Sequence, residues 1–524
     1  MSEAERTGNT DGRWRHAVAG ALMIGGPVWH SLYDAHYPFT RPEAIALPLA
    51  AGLAGAAAAV VARVLGGFPG AIVYGGLLFA FADLQFDPQK WTYLLVVLAG
   101  CVALAWLLSA YRATITALAL GVLYLTSLPR DAIVRRPRKS ATPSPAPSKA
   151  PLLVHIILDE QGGAGAMRAA GDTATADFLA DFYTTRGFEL YEGAYSRFNT
   201  TIESVPDAVS LGGEAELHRG RTMRPYWRSM RRIPYFERLH ELGYEIRVVQ
   251  STYLDYCSAD GAPVVSCEVE YGNSIRNIGV LEGSWVRRAV RAGRFLLTME
   301  SHIFRKLRPG PQRWRRAVSG GGIAGARRLA AALRRHGRAG TAFFAHLIIP
   351  HRPVDVDEEC LVVAMGTERL HPDFPESDAD PYWPETLRLM GGQSRCAHRQ
   401  LAAVLAVIDS TVGRDSSIVI VQGDHGMRIH PRPVAKESIS AYTASELNAE
   451  FATLLAVRRP GVAAAVRTEA VPVQDFVWAL ARSGFGAIPP QEWEHYVRRL
   501  ASRRVTDTLR PLTARDMPWA RAAR

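Results

Sequence analysis

The sequence predicts two parts in series: an all-α transmembrane bundle of about five helices, then an α/β sandwich with a largely parallel central sheet. Three observations carry this. Apolar residues crowd the first quarter of the 524-residue chain. A stretch alternating Pro with Ala, Ser and Thr follows at 140–151. Beyond it, continuous β-prone runs alternate with helical segments, and two of the runs end in carboxylates, where open α/β sheets hold their ligands. The length also exceeds what one core usually supports.

The apolar stretches lie near 15–33, 43–65, 70–86, 92–110 and 113–129, several of them close to the roughly 20 residues that cross a bilayer. More such segments follow the first without a small-residue cleavage pattern, so the first is read as a span rather than a removable signal. The third and fifth are short, and a count of four stays open. Arg6, Arg13 and Arg15 precede the first span, Arg63 follows the second and Arg112 the fourth, while Asp83 and Asp87 lie between the third and fourth. The positive-inside rule then puts the N-terminus in the cytoplasm and the chain after the fifth span outside, the periplasmic or extracellular side of a bacterial inner membrane. The cluster Arg130, Arg135, Arg136, Arg138 and Lys139 runs against that orientation. The extended 131–151 segment reads as a tether. The expected division is 1–130 membrane, 131–151 linker, 152–490 catalytic domain and 491–524 basic tail.

A formal charge of +11 raises nucleic acid as a partner. No zinc-finger, RNA-binding or helix-turn-helix signature accompanies it, so no nucleic acid is expected and an anionic membrane surface fits better. Five cysteines are too few for a disulfide scaffold. Cys101 falls in an apolar run. Cys257 and Cys267 flank a short polar turn and form either a local disulfide or two free thiols; Cys360 with Cys396 is a second candidate pair.

In the soluble part, Leu152-Leu-Val-His-Ile-Ile-Leu158 is a β-prone run ending in Asp159-Glu160, and Ser417-Ile-Val-Ile-Val421 is another, ending in Gln422-Gly423-Asp424-His425-Gly426. Helices are expected near 230–242 and 395–410, with a further strand at 341–349. A lone acidic residue at a strand end is usually a helix cap or a solvated charge. Two strands that each deliver a carboxylate, one with an adjacent His, offer the oxygen and imidazole donors that hard and borderline divalent metals need. The third element is Asn199-Thr200-Thr201-Ile202-Glu203-Ser204-Val205-Pro206. Its hydroxyls are ordinary N-caps on one reading. On the other, a helix N-terminus and a metal together activate a hydroxyl and stabilise an incoming phosphoryl group.

The ordered set Asp159-Glu160, Thr201-x-x-Ser204-Val-Pro206, His351 and Asp424-His425-Gly426 resembles the alkaline-phosphatase and sulfatase superfamily. Within it, the set looks most like the membrane phosphoethanolamine and phosphoglycerol transferases, whose architecture has five N-terminal spans and an outward catalytic domain. The resemblance covers roughly 150–485 and implies an alkaline-phosphatase-like sandwich. It implies Thr201 as nucleophile and covalent carrier, Asp424 and His425 as metal ligands with Asp159 or Glu160, and His351 as a residue contacting substrate or a second metal. His430 is the match to a further metal-site His, although Met427 stands where the family carries Glu. His346 reads as core. Gln393–Ile408 and Val473-Gln-Asp475-Phe match flanking helices equally explained as ordinary amphipathic segments.

The reading that results is a metal-dependent enzyme using zinc or manganese. It moves a phosphoryl group from a phospholipid donor to an envelope glycan or lipid acceptor through Thr201. Release to water would make it a phosphodiesterase. Sulfatase activity is disfavoured because Ser204-Val-Pro206-Asp-Ala lacks the Arg of the Cys/Ser-x-Pro-x-Arg string. A non-catalytic envelope protein is the alternative from another class. Between Arg287 and Arg338 the chain has fifteen Arg or Lys and one acid, Glu300. Trp285, Phe295, Leu296, Ile303, Phe304, Leu307 and Trp314 interleave with them. This reads as a solvated face or as a basic amphipathic surface on anionic lipid.

Overall fold

The computed structural model describes residues 3–86, 91–109, 111–127, 150–213, 228–259, 264–270, 272, 274–301, 303–304, 318–363, 383–429, 438–498 and 509–520. The chain divides into two compact units: Met1–Val134 with Ser274–Gly279 and Gly283–Arg316, and the remainder. The linker expected at 131–151 lies outside the described residues except for its last two.

Five helices open the first unit: α1 (Glu3–Asp34), α2 (Pro42–Leu65), α3 (Gly67–Phe86), α4 (Trp91–Leu107) and α5 (Arg112–Ser127). They fall where the apolar stretches predict them. Among the described residues, two apolar segments, Pro42–Leu65 and Gly67–Gln85, are long and apolar enough to cross a membrane; Leu95–Leu107 and Arg112–Tyr124 are shorter. The expected count of about five spans therefore rests on helix position and not on length. Helices α1 and α2 cross on glycine: a Cβ at Gly20 would stand 2.1 Å from the Gly55 carbonyl oxygen, the close backbone approach that small residues permit between apolar helices. Two later segments, α10 (Ile275–Val280) and α11 (Trp285–Glu300), contribute to this unit although they were expected within the catalytic domain. Their link to it is physical. Glu43, in the first turn of α2 and fully buried, pairs with Arg288 of α11 at 2.6 Å and accepts from the Tyr37 hydroxyl at 3.0 Å.

The second unit is built on an eight-stranded sheet in the order β10-β2-β9-β8-β1-β7-β4-β6. These are β1 (Leu152–Leu158), β2 (Glu189–Tyr195), β4 (Glu245–Ser251), β6 (Val264–Glu270), β7 (Thr341–Leu347), β8 (Ser417–Gly423), β9 (Leu455–Arg458) and β10 (Ala465–Pro472). The short β3 (Arg228–Ser229) pairs with β5 (Leu254–Asp255), and β11 (Tyr496–Val497) with β12 (Arg510–Pro511). Strands β6, β4, β7, β1 and β8 run parallel, and β9 lies antiparallel between β8 and β2. Every residue of β1, β7 and β8 is buried, which is why these runs are continuously apolar rather than alternating. Of the helices between them, α6 (Ala164–Ala170) and α7 (Thr173–Thr184) follow β1, α8 (Thr201–Ser210) follows β2, and α9 (Pro234–Glu241) precedes β4. Two buried clusters cover the two sheet faces. Leu152, Val154, Ile156 and Leu158 enter one; Leu153 and Ile157 enter the other, together with Val205 and Val209 of α8.

Two disulfides, Cys257–Cys267 and Cys360–Cys396, close loops in this unit, and Cys101 is free. The described residues of the expected basic tail pack against the fold. Val497, Leu512, Met517, Trp519 and Ala520 pack into a third buried cluster with Tyr195 and Phe451.

Helix α8 is pinned from below by Arg197. That guanidinium pairs with Asp475, packs over the Trp478 and Tyr496 rings and donates to the Glu494 carbonyl, while Trp478 donates to the Asp207 carbonyl at 3.0 Å. Burial pushes the Asp207 carboxyl up to about 7 and Asp475 up to about 6, with Arg197 opposing. A carboxyl that holds its proton more tightly folded than unfolded contributes stability at low pH that is lost as pH rises through the folded value. The full chain in detergent should therefore lose melting temperature between about pH 4 and pH 7 and level off above that. Asp207→Asn, neutral throughout, should lose less. Equal losses in the two proteins contradict this assignment.

Candidate active site

Parallel register fixes the first two ligand candidates. Leu158 pairs with Gly423 across β1 and β8, so Asp159 and Asp424 leave neighbouring strand ends together, and the Glu160 amide donates to Asp424 Oδ1 at 2.9 Å. The third, His425, is turned toward them by its own backbone. Its Nδ1 lies 2.8 Å from the Gly426 carbonyl, and a carbonyl only accepts, so Nδ1 carries the proton and the Nε2 lone pair faces the site. Gly426 has no room for a side chain, since a Cβ there would stand 2.5 Å from the Ala449 carbonyl oxygen. The Thr453 hydroxyl ties the arrangement together, 2.9 Å from the Gln161 carbonyl and 3.1 Å from that of His425.

Thr201 comes from the other direction. It is the first residue of α8, whose N-cap Thr200 is extended and makes no side-chain cap bond. The helix thus presents Thr201 and the positive end of its dipole at one point. Thr201 Oγ1 lies 3.3 Å from His425 Nε2 and 3.5 Å from Asp159 Oδ1. Ser204, one turn on, is buried with no hydrogen-bond partner for its hydroxyl among the described residues.

Ligand atoms of Asp159, Asp424 and His425 lie within 4.8 Å of one another. The donor set fits a divalent metal on its own chemistry. Asp159 Oδ2 and Asp424 Oδ2 are buried without hydrogen-bond partners among the described residues. His425 Nε2, a lone pair by the tautomer above, faces Asp424 Oδ2 at 3.3 Å, an acceptor opposite an acceptor. Burial and then Asp424 push the Asp159 carboxyl well above the usual carboxylate range, and burial pushes His425 below the usual imidazole value. A cation would reverse the first shift and reinforce the second, favouring the carboxylate and the neutral imidazole that ligate metals.

Glu160 is not in this set. Its backbone takes a left-handed φ of 59°, which turns its side chain away from Asp159. Its carboxylate accepts from the Arg352 amide at 2.9 Å and Arg352 Nε at 3.2 Å, pairs with Arg428, and stands 3.9 Å from His351 Nε2. Burial pushes Glu160 up, but Arg428, His351 and Arg352 outweigh it and hold the group well below the usual range. Of the two residues left open by the sequence, Asp159 is the one beside the other ligands and Glu160 organises two arginines. His351 lies by Glu160 rather than in the ligand cluster, and its Nδ1 donates to the Arg352 carbonyl. Its loop is held by Gln393, whose amide donates to the Pro350 and His351 carbonyls at 2.8 and 2.9 Å. His430 lies outside the described residues. Met427 is buried and its side chain touches the Cα side of Gly162, so that position adds no ligand.

The sequence reading missed His346. It lies in the β7 row beside Ile157, on the face that also carries Asp159, because strand side chains alternate with period two. Its Nε2 has no hydrogen-bond partner among the described residues and stands 3.5 Å from Asp159 Oδ2, and its Nδ1 is 3.0 Å from the Tyr256 hydroxyl. Burial lowers its pKa to about 4, so it is a neutral imidazole at the edge of the donor set. Arg352 and Arg428 were missed too. The signal available was the spacing His346-x-x-x-x-His351-Arg352, which sets a second His on the strand itself.

No protein-family model and no curated protein matches the sequence. Among solved structures, the chain is similar to the C-terminal periplasmic domain of EptC from Escherichia coli in complex with zinc, at 9% identity over 73% of this chain and 97% of that one, with a TM-score of 0.40. It is also similar to an alkaline phosphatase superfamily protein from Vibrio parahaemolyticus, at 10% identity over 72% and 86% of the two chains and a TM-score of 0.39. A putative sulfatase from Bacteroides thetaiotaomicron gives 15% identity over 67% and 77% at a TM-score of 0.40. These are distant likenesses among alkaline phosphatase and sulfatase relatives, and the site's own geometry bears the functional reading.

Isothermal titration with zinc should separate the two first-strand carboxylates. Asp159→Asn should abolish binding, His346→Ala, whose ring stands beside Asp159, should weaken it by about 10–100-fold, and Glu160→Gln, whose carboxylate meets arginines rather than the ligands, should weaken it less. Tighter dependence on Glu160 than on Asp159 contradicts the assignment.

Proposed function

We propose that the chain is a metal-dependent phosphoryl-transfer enzyme of the sulfatase-like kind, in which Thr201 carries the transferred group as a covalent intermediate. The observation that carries this is the convergence of Thr201 Oγ1 with His425 Nε2 and Asp159 Oδ1, at 3.3 and 3.5 Å, beside a buried donor set of two carboxylates and an imidazole. Asp159, Asp424 and His425 would hold one divalent cation, zinc or manganese. When bound, it supplies Lewis acidity to a phosphoryl oxygen and favours the ionised hydroxyl.

The residues do the rest. Helix α8 orients Thr201 toward the phosphorus and adds its N-terminal dipole to the stabilisation of the phosphoryl oxygens. Attack by Oγ1, whose proton is released to water, forms the Thr201–phosphate ester and breaks the bond to the leaving oxygen of the donor. His351, on the loop after β7, is assigned to the substrate and to the proton that this oxygen takes up. In the second step an acceptor hydroxyl attacks the ester and restores Thr201. We read the donor as a phospholipid carrying a phosphoethanolamine- or phosphoglycerol-type head and the acceptor as an envelope glycan or lipid. Water as acceptor gives the corresponding phosphodiesterase. The Ser204-Val-Pro206 string without its Arg speaks against a sulfatase, and the pairing of unpartnered buried donors speaks against a non-catalytic protein.

The setting proposed is a multi-pass protein of a bacterial inner membrane, with α1–α5 as spans and the second unit outside. Arg13, Arg15, Arg63 and Arg112 support this orientation, against the cluster at 130–139. So do the two disulfides, which persist in oxidising compartments.

The test is mass spectrometry of the full chain after incubation with zinc and individual phospholipids. A head-group phosphate adduct on Thr201, absent in Thr201→Ala, is expected. An unmodified Thr201 with turnover intact, or an adduct on another residue, contradicts the reading.

A further inference from the structure

Helix α11 is tied to the first unit at both ends. Near its start Arg288 pairs with Glu43 in the first turn of α2 at 2.6 Å. Just beyond its end the Ser301 hydroxyl donates to Asp83 Oδ2 at 2.6 Å, and the Ile303 amide donates to Asp83 Oδ1 at 3.2 Å. Midway, the site of a Gly293 side chain faces Leu47 of α2 at 3.6 Å. Helices α2 and α3 are joined by Gly66 alone and pack as an antiparallel pair, so Glu43 and Asp83 mark the same end of it. Arg288 and Ser301 are about 20 Å apart along a helix. A helix fixed at both these points runs across the end of the two apolar helices rather than alongside them.

Its outer surface is amphipathic in the same sense. Val286, Val290 and Leu297 are spaced at four and seven residues and so share one stripe with Gly293, which meets Leu47 of α2; away from that contact Val286 is 49% exposed and Leu297 44%. Arg287 and Arg294 border the stripe on one side. On α2, Ile45 and Leu49 are exposed by more than half, on the side turned from the Glu43 and Leu47 that meet α11. An apolar stripe edged by arginines, set at the end of a span pair, matches an anionic lipid surface in both polarity and charge.

We infer that α11 is an interfacial helix that beds on anionic phospholipid, with Val286, Val290 and Leu297 in the acyl boundary and Arg287 and Arg294 at the phosphates. This rests on the membrane reading above.

Site-directed spin labelling tests the two separately. Single cysteines replace Val286, Val290, Leu297 or Leu53 of α2 in a full-length Cys101→Ser background, reconstituted in phosphatidylglycerol/phosphatidylcholine vesicles. Collision with lipid-soluble oxygen is compared with collision with a water-soluble nickel chelate. Oxygen should dominate at all four positions, and its excess should fall at Val286 and Leu297, not at Leu53, in phosphatidylcholine alone. Nickel dominance at the α11 positions with oxygen dominance at Leu53 overturns the interfacial helix and leaves the membrane reading standing. Occlusion from both reagents means that protein, a partner or a second copy, covers the stripe, and also overturns it. Nickel dominance at Leu53 overturns both. A ratio insensitive to lipid charge overturns the assignment to anionic lipid.

Discussion

The second unit is organised around an electrostatic conflict: two carboxylates, Asp159 and Asp424, buried side by side at the ends of adjacent parallel strands. Their ligand atoms lie within 4.8 Å. At that separation two unit negative charges repel by about 3 kcal/mol at an effective dielectric of about 20, a large share of the about 5–15 kcal/mol that separates folded from unfolded domains. Neither has its outer oxygen satisfied by a hydrogen bond among the described residues. The protein holds this arrangement instead of relaxing it because register in the sheet, the Glu160 amide and the Thr453 hydroxyl fix the strand ends. A cation resolves the conflict, and the hydroxyl of Thr201 stands next to where it would sit.

The positive charges nearby do not resolve it. Arg352 and Arg428 are taken up by Glu160, one residue beyond Asp159. The left-handed turn at Glu160 is the device that separates the roles of two consecutive acids, sending one carboxylate to the donor set and the next to the arginines. An arginine paired directly with Asp159 would compete with a metal; diverted to Glu160, it supports the loop that carries His351 and leaves the donor set open. Around this centre the supporting contacts come from far along the chain: Gln393 on the His351 loop, Asn199 donating to Glu450 at 2.6 Å, and Arg197 under α8.

Much of this was legible in the sequence because parallel strands buried on both faces cannot alternate. The runs Leu152–Leu158 and Ser417–Val421 declared both their type and the end at which ligands gather. A hydroxyl at the mouth of a helix was legible too, but its position left Thr200, Thr201 and Ser204 open, and only the family resemblance singled out Thr201. What stayed hidden depends on register and on backbone sign. Nothing in the string Asp159-Glu160 tells which acid turns inward, since that is decided by a φ of 59°. His346 reads as core because it sits inside an apolar strand, and only the pairing of β7 with β1 puts its ring beside Asp159. Segment 274–316 was assigned to the catalytic domain by sequence order, but the buried Glu43–Arg288 pair, 245 residues apart in the chain, joins α11 to the N-terminal helices. Long-range charge pairing of this kind leaves no local trace.

The most direct measurement is anomalous diffraction at the zinc edge from crystals of the zinc-treated protein. A single strong peak enclosed by Asp159, Asp424 and His425, next to Thr201 Oγ1, is the predicted result. A peak at Glu160 and His351 instead, or a site that stays without metal while the two carboxylates keep their places, would contradict the account.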